Sequence, residues 1–136
     1  ALSSSGIPVM AHVGLRPQNV HCLGGYSVQR DRENLLADAK AAESSGAFAI
    51  VLECIPAEIA REITQTLAIP TIGIGAGVDC DGQILVMHDL LGLTPGRTPR
   101  HVKVYADLKT QVIGAVTQYR DEVREGTFPD DRQTFH

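Results

Sequence analysis

Glu53 and His12 are the side chains whose type and placement suit acid–base chemistry. Glu53 closes a short apolar run, residues 47–52, set between Gly46 and Pro56. A run of this length with these flanks predicts a strand buried on both faces. The carboxylate then stands at the strand's C-terminal end, the edge along which ligands and chemistry collect in parallel α/β proteins. A carboxylate at the mouth of an apolar barrel is costly to ionise and holds its proton more tightly, which suits a general base or acid near neutral pH. The bland alternative is a solvated glutamate, or one paired with a structural arginine. His12 ends the first predicted strand and shares that edge. Adjacent parallel strands run about 4.8 Å apart, close enough for His12 to hold the carboxylate with a hydrogen bond. It could equally be a loop histidine bonded to solvent or backbone.

The pattern around these residues supplies elements to position them. Residues 7–12 predict a first strand, 48–53 a second, 70–74 a third and 84–87 a fourth that ends at His88-Asp89. A helix is predicted over 31–45, with Leu35, Leu36, Ala39 and Ala42 on one face and Gly46 as its stop. Another is predicted over 56–67, with Pro56 in its first turn and Ile59, Ile63 and Leu67 as its apolar stripe. After a glycine- and proline-bearing stretch, 92–99, a long amphipathic helix is predicted over 102–125. Tyr105, Val112, Val116, Tyr119 and Val123 would line its buried face, and Phe128 and Phe135 would anchor the polar tail. Strand–helix alternation with near-continuous apolar strands means parallel βαβ units. Four such strands make either a small open sheet or half of an eight-stranded barrel, a fold that usually needs about 250 residues.

The remaining motifs are weaker. Gly73, Gly75 and Gly77 follow the third strand without the offsets of a dinucleotide fingerprint; a tight turn at a barrel rim accounts for them better than an anion cradle. Residues 14–30 form a long connection that reads either as a lid hinged at Gly24-Gly25 or as a disordered excursion. His88-Asp89 reads as a helix cap opened by Asp89 in preference to an orienting pair. Cys54 should point away from Glu53 into the core if strand pairing is regular. No cluster has metal-ligand spacing, and no Ser or Cys sits in a nucleophile elbow.

Bulk properties set the outer bounds. The 136 residues suffice for one domain, 43% are hydrophobic, and a net charge of −4 with mixed signs gives no nucleic-acid footprint. No apolar run approaches the ~20 residues that span a bilayer. The first residues show no secretory pattern, and the abrupt start suggests a piece of something larger. Cys22, Cys54 and Cys80 cannot all pair, so a reducing, cytoplasmic setting is expected.

Several stretches together resemble the C-terminal half of the ketopantoate hydroxymethyltransferase family. They are residues 11–18 (AHVGLRPQ), 24–29 (GGYSVQ), 52–56 (LECIP), 69–77 (IPTIGIGAG), 81–89 (DGQILVMHD) and the closing Phe135-His136. The resemblance implies a (β/α)8 TIM barrel, of which residues 1–136 would be the C-terminal half of a single domain. It implies a homo-oligomer, commonly a decamer. It implies transfer of a one-carbon unit from 5,10-methylenetetrahydrofolate to 3-methyl-2-oxobutanoate, with Mg2+ chelating the 2-oxo acid. Glu53 matches the glutamate that takes the C3 proton, and His12 an active-site histidine beside it. The metal ligands belong to the N-terminal half, so none is expected in this chain, which alone should be inactive and bind magnesium weakly. Ser27 and Arg30 depart from the basic residue and glycine more usual there, which bears on the long connection. The other readings are a magnesium-enolate barrel of the phosphoenolpyruvate mutase and isocitrate lyase kind, and an inactive fragment that docks on a complementary half.

Overall fold

The structure is a computed structural model, and it describes residues 1–21 and 25–135. By its internal contacts the chain divides into two units, Ala1–Leu85 and Val86–His136.

The first unit is a four-stranded, wholly parallel sheet in the order β1 (Met10–Gly14), β2 (Ala49–Glu53), β3 (Thr71–Ile74) and β4 (Gly82–Gln83). The register aligns His12 with Val51, Gly14 with Glu53 and Glu53 with Ile74. Helix α1 (Arg32–Ser44) connects β1 to β2, and α2 (Ala57–Thr66) connects β2 to β3. Asp31 caps α1 by accepting the Asn34 N–H at 3.1 Å, and Gly46, at φ 88°, turns the chain out of it. Pro56, expected in the first turn of α2, occupies the cap position, and the helix starts one residue later.

Right-handed crossovers in one direction put both helices on one face. The core is therefore one-sided: Val13, Ile50 and Leu52 pack with Leu35, Ala39, Ile59, Ala60 and Ile63. Side chains alternate across a strand, so His12, Val51, Glu53 and Ile72 lie on the opposite face, which no helix of this unit covers. That is why β2, expected to be buried on both faces, leaves Val51 and Glu53 only partly buried. A doubly wound sheet would carry helices on both faces. Sequential strand order with one bare face is the pattern of half a (β/α)8 barrel.

Two strands are displaced from their expected positions. The first begins at Met10, because Pro8 has no N–H to give to a ladder; only the Val9 carbonyl extends the pairing, to Phe48 N–H at 2.9 Å. The fourth is Gly82–Gln83 and not 84–87. The apolar run 84–87 looks like strand by composition, but a run this short does not declare its structure. Only Ile84 N–H still reaches β3, at the Gly73 carbonyl, 3.0 Å away.

A polar knot pins the start of β3 to the approach to β4. The Thr71 hydroxyl, fully buried, lies 2.9 Å from the Thr64 hydroxyl and 2.9 Å from Asp81 Oδ2, and the Thr71 N–H donates to the same oxygen at 2.8 Å. Donation from the Thr71 backbone, then from its hydroxyl, holds the Asp81 carboxyl below the usual carboxylate range. A depressed folded-state value stabilises above the unfolded aspartate value of about 3.9, and that stabilisation is lost as pH falls through the folded value. Asp81 is therefore expected to contribute to the acid sensitivity of unfolding. Urea midpoints of the full-length protein between about pH 5 and pH 2 should fall less steeply in Asp81→Asn than in wild type. Parallel curves would contradict this.

The second unit holds the short helix α3 (Met87–Leu90) and the long helix α4 (Leu108–Glu125). Asp89 lies inside α3 and accepts from the Thr94 hydroxyl, so it is not the opening cap expected of it. Helix α4 starts six residues later than expected. Residues 102–107 return to α3 instead, with Tyr105 N–H on the Leu90 carbonyl at 2.8 Å, and Asp107 caps the helix through Thr110 N–H at 3.2 Å. The predicted stripe is not buried: Val112, Val116, Tyr119 and Val123 are 46–60% exposed, and Tyr105, outside the helix, is also exposed. None of the described residues of this unit is fully buried. One amphipathic helix with short flanking turns cannot enclose its own apolar face. Phe128 does anchor the tail, edge-on to Tyr119 at 5.4 Å, whereas Phe135 is fully exposed. His136 lies outside the described residues.

Candidate active site

Three strand ends define the site: Gly14, Glu53 and Ile74 are register partners at the C-terminal edge of β1, β2 and β3. Glu53 points to the bare face, and two residues back on β1 so does His12. Glu53 Oε2 lies 3.0 Å from His12 Nε2, and the two side chains are 16% and 31% exposed. That nitrogen is shut off from solvent, yet it makes no aligned hydrogen bond. The oxygen therefore sits at ion-pair distance but off the ring N–H direction, a contact of position more than of bonding. Catalytic hydrogen bonds are often misaligned before substrate binds and tighten afterwards. The two residues singled out from sequence are thus brought together, on one face and at one edge.

The main chain around Glu53 is tightly determined. The Leu15 N–H donates to the Glu53 carbonyl at 2.9 Å. Gly14 makes that approach possible: its φ is 91°, and a Cβ there would stand 2.2 Å from the Glu53 carbonyl oxygen and 2.7 Å from Ile55 Cγ2. Cys54 follows in the left-handed region, φ 49°. It lies past the strand end and is half-buried, not a regular core residue. Its thiol is pushed up by burial and then by the Glu53 charge.

Gly75 and Gly77, at φ 65° and 85°, form the tight rim turn expected there, whereas Gly73 lies inside β3 as the register partner of Leu52. Ile74 and Ala76 are buried, and a Cβ on Gly77 would meet that of Ala57 at 2.5 Å, so this glycine lets the turn pack on α2. In the long connection, Pro17–Asn19 forms a 3-10 turn, and Gln29 N–H donates to the Cys54 carbonyl at 3.0 Å. Ser27 accepts from Gln29 Nε2 through its carbonyl at 3.0 Å and its hydroxyl at 3.2 Å. Of the suggested hinge pair only Gly25, at φ 117°, is described; Gly24 and Cys22 lie outside the described residues. A polar cleft of about 320 Å³ opens beside Gly14, lined by Arg16, Gln29, Asp31, Asn34, Leu35 and Asp38.

Among the described residues no three histidine, cysteine or carboxylate side chains converge. Sequence reasoning passed over Gly14 and took Cys54 for a regular core residue. A glycine directly after a strand was a signal for the first; nothing in the type of residue announces a left-handed cysteine. No helix of the described residues is long and apolar enough to cross a membrane.

Comparison with known proteins adds a family match. A family model described as ketopantoate hydroxymethyltransferase matches residues 1–131. The chain is 54% identical to the 3-methyl-2-oxobutanoate hydroxymethyltransferase of Rhodopirellula baltica, over 99% of its own length and 50% of that protein. It is 54% identical to the protein of the same name from Desulforapulum autotrophicum, over 99% of the chain and 51% of that protein. With the one from Frankia alni it shares 58% identity, over 95% of the chain and 44% of that protein. The chain spans about half the length of the curated relatives it matches.

Proposed function

Because the chain belongs to the ketopantoate hydroxymethyltransferase family, we propose that it is the part of such an enzyme that carries the proton-abstracting base. The overall reaction is transfer of a hydroxymethyl group from 5,10-methylenetetrahydrofolate to 3-methyl-2-oxobutanoate, giving 2-dehydropantoate for pantothenate biosynthesis. The observation that supports it is the His12–Glu53 contact of 3.0 Å on the bare sheet face, at the C-terminal strand edge. A 2-oxo acid docked against that face would present its C3 hydrogen to the carboxylate. Glu53 takes the proton, and His12 keeps the carboxylate aimed while it does so. The carbon nucleophile left at C3 forms a bond to the methylene carbon of the folate; both C–N bonds of that carbon break in the course of the reaction, water supplies the hydroxyl oxygen, and tetrahydrofolate leaves. Magnesium, held by residues outside this chain as the resemblance implies, supplies polarisation of the 2-oxo group when bound. A cytoplasmic setting rests on the three cysteines that cannot all pair, and a homo-oligomer on the resemblance.

In this reading the bare face and the unpaired edges of β1 and β4 receive the other half of the barrel. The full-length protein should form 2-dehydropantoate with one tetrahydrofolate released per turnover. The folded 136-residue chain should form none, and adding the separately expressed other half should restore turnover. Turnover by the isolated chain would overturn the half-barrel reading. Inactivity of the full-length protein with this substrate pair would overturn the reaction.

A further inference from the structure

The two peptides that flank Cys54 are held from three sides. The Glu53 carbonyl accepts from Leu15 N–H at 2.9 Å, the Cys54 N–H donates to the Ile74 carbonyl at 2.9 Å, and the Cys54 carbonyl accepts from Gln29 N–H at 3.0 Å. One bond comes from the end of β1, one from the end of β3 and one from the long connection. At the centre is Cys54, the non-glycine residue with positive φ among the described residues. The other described residues with positive φ, Gly14, Gly46, Gly75 and Gly77 among them, are all glycine. A Cβ makes the left-handed region unfavourable, so this conformation is enforced by the surroundings. Strain of this kind, beside a carboxylate at a strand end, points to function and not to chance.

We infer that Cys54 is a positioning residue for Glu53, acting through its backbone. This rests on the reading of Glu53 as the base. The left-handed turn, clamped by the three bonds, ends β2 at one fixed peptide plane. That plane sets the direction of the Glu53 Cα–Cβ bond and hence the aim of the carboxylate at His12. The three bonds fix the flanking peptides only as tightly as residue 54 between them allows: a Cβ confines it to the narrow left-handed well, whereas glycine would also visit neighbouring positive-φ states. The thiol itself takes no part in the chemistry.

Two variants of the full-length enzyme separate this role from a structural one. Cys54→Gly suits the left-handed turn and should leave thermal stability unchanged or raised. A residue needed only for the fold would then show full activity. The positioning role predicts a fall in kcat of about tenfold or more, with KM little changed, because small misplacement of a reacting group is costly. Cys54→Ala keeps the Cβ and should retain kcat close to wild type. Crystal structures of both report the aim directly: the Glu53–His12 contact of 3.0 Å should persist in Cys54→Ala and be lost or spread over rotamers in Cys54→Gly. An intact contact in Cys54→Gly overturns the inference, whatever its kcat. An equal loss of kcat in Cys54→Ala overturns it too, by making the thiol the actor. A lost contact with full kcat upholds the positioning role and overturns Glu53 as the base.

Discussion

Glu53→Gln in the full-length protein is expected to abolish exchange of the substrate's C3 proton with D2O and to lower hydroxymethyl transfer by about 10²- to 10⁴-fold, the usual contribution of a positioned general base. Glutamine keeps the volume and one oxygen of the side chain, so the 3.0 Å neighbourhood of His12 is retained in shape. The charge and the basic lone pairs are lost. Both side chains are partly sheltered, so water has limited access to stand in for the missing base. The exchange measurement is the sharper one because it needs no folate and reports only the first step. Wild-type exchange would exclude Glu53 as the base, and slow transfer alongside it would move its role to a later step. Substrate binding should change little, since the carboxylate is proposed to act on the C3 hydrogen and not on the carboxylate of the 2-oxo acid.

Gly14→Ala should do the second largest damage, to fold and activity together. Any L-residue is strained at φ 91°, and here the added methyl also meets the Glu53 carbonyl oxygen at 2.2 Å and Ile55 Cγ2 at 2.7 Å. A carbonyl tied to the Leu15 N–H cannot move aside without releasing that bond. Strain and clash together should cost about 2–4 kcal/mol of stability, the range of severe single substitutions. The β1–β2 edge must also open, which shifts Glu53 and should cost at least about tenfold in kcat. Gly6→Ala is the matched comparison. It too has a positive φ, 78°, but nothing within 4 Å of the new methyl, so it should show only the strain of about 1 kcal/mol. Urea midpoints and kcat of the two full-length variants decide the point. If Gly14→Ala is no worse than Gly6→Ala, the close approach is not what holds this edge.

Legibility from sequence followed the range of the interaction involved. Helix α1 was readable because its cap, apolar spacing and stop are all local: Asp31, Leu35 and Ala39, Gly46. The second strand was readable because apolar residues 49–52 and their flanks leave few alternatives. The nearness of His12 and Glu53 followed from neighbouring parallel strands sharing an edge, although His12, expected to end the first strand, lies two residues inside β1, which runs on to Gly14. Its value of 3.0 Å and its misalignment did not, since rotamers answer to neighbours and not to spacing. Position 84–87 misled because four apolar residues carry too little information, and β3 offered pairing to Gly82 and Gln83 instead. The stripe on α4 was legible as a stripe. That it stays exposed in this chain was not, because periodicity says that a face seeks cover and not what supplies it.

Local chemistry in the chain was therefore enough to determine the parallel βαβ alternation, the strand end that carries Glu53, and the resemblance that the family match bears out. Only the tertiary structure decided that both helices lie on one face, that the bare face carries His12 and Glu53, and that a left-handed Cys54 and a crowded Gly14 hold the carboxylate's backbone. The physical reason is distance along the chain. Propensity, capping and apolar period act over a few residues. The hydrogen bonds that join Leu15, Ile74 and Gln29 to Glu53 and Cys54 link segments about 20 to 40 positions apart, and they exist only once the sheet has formed.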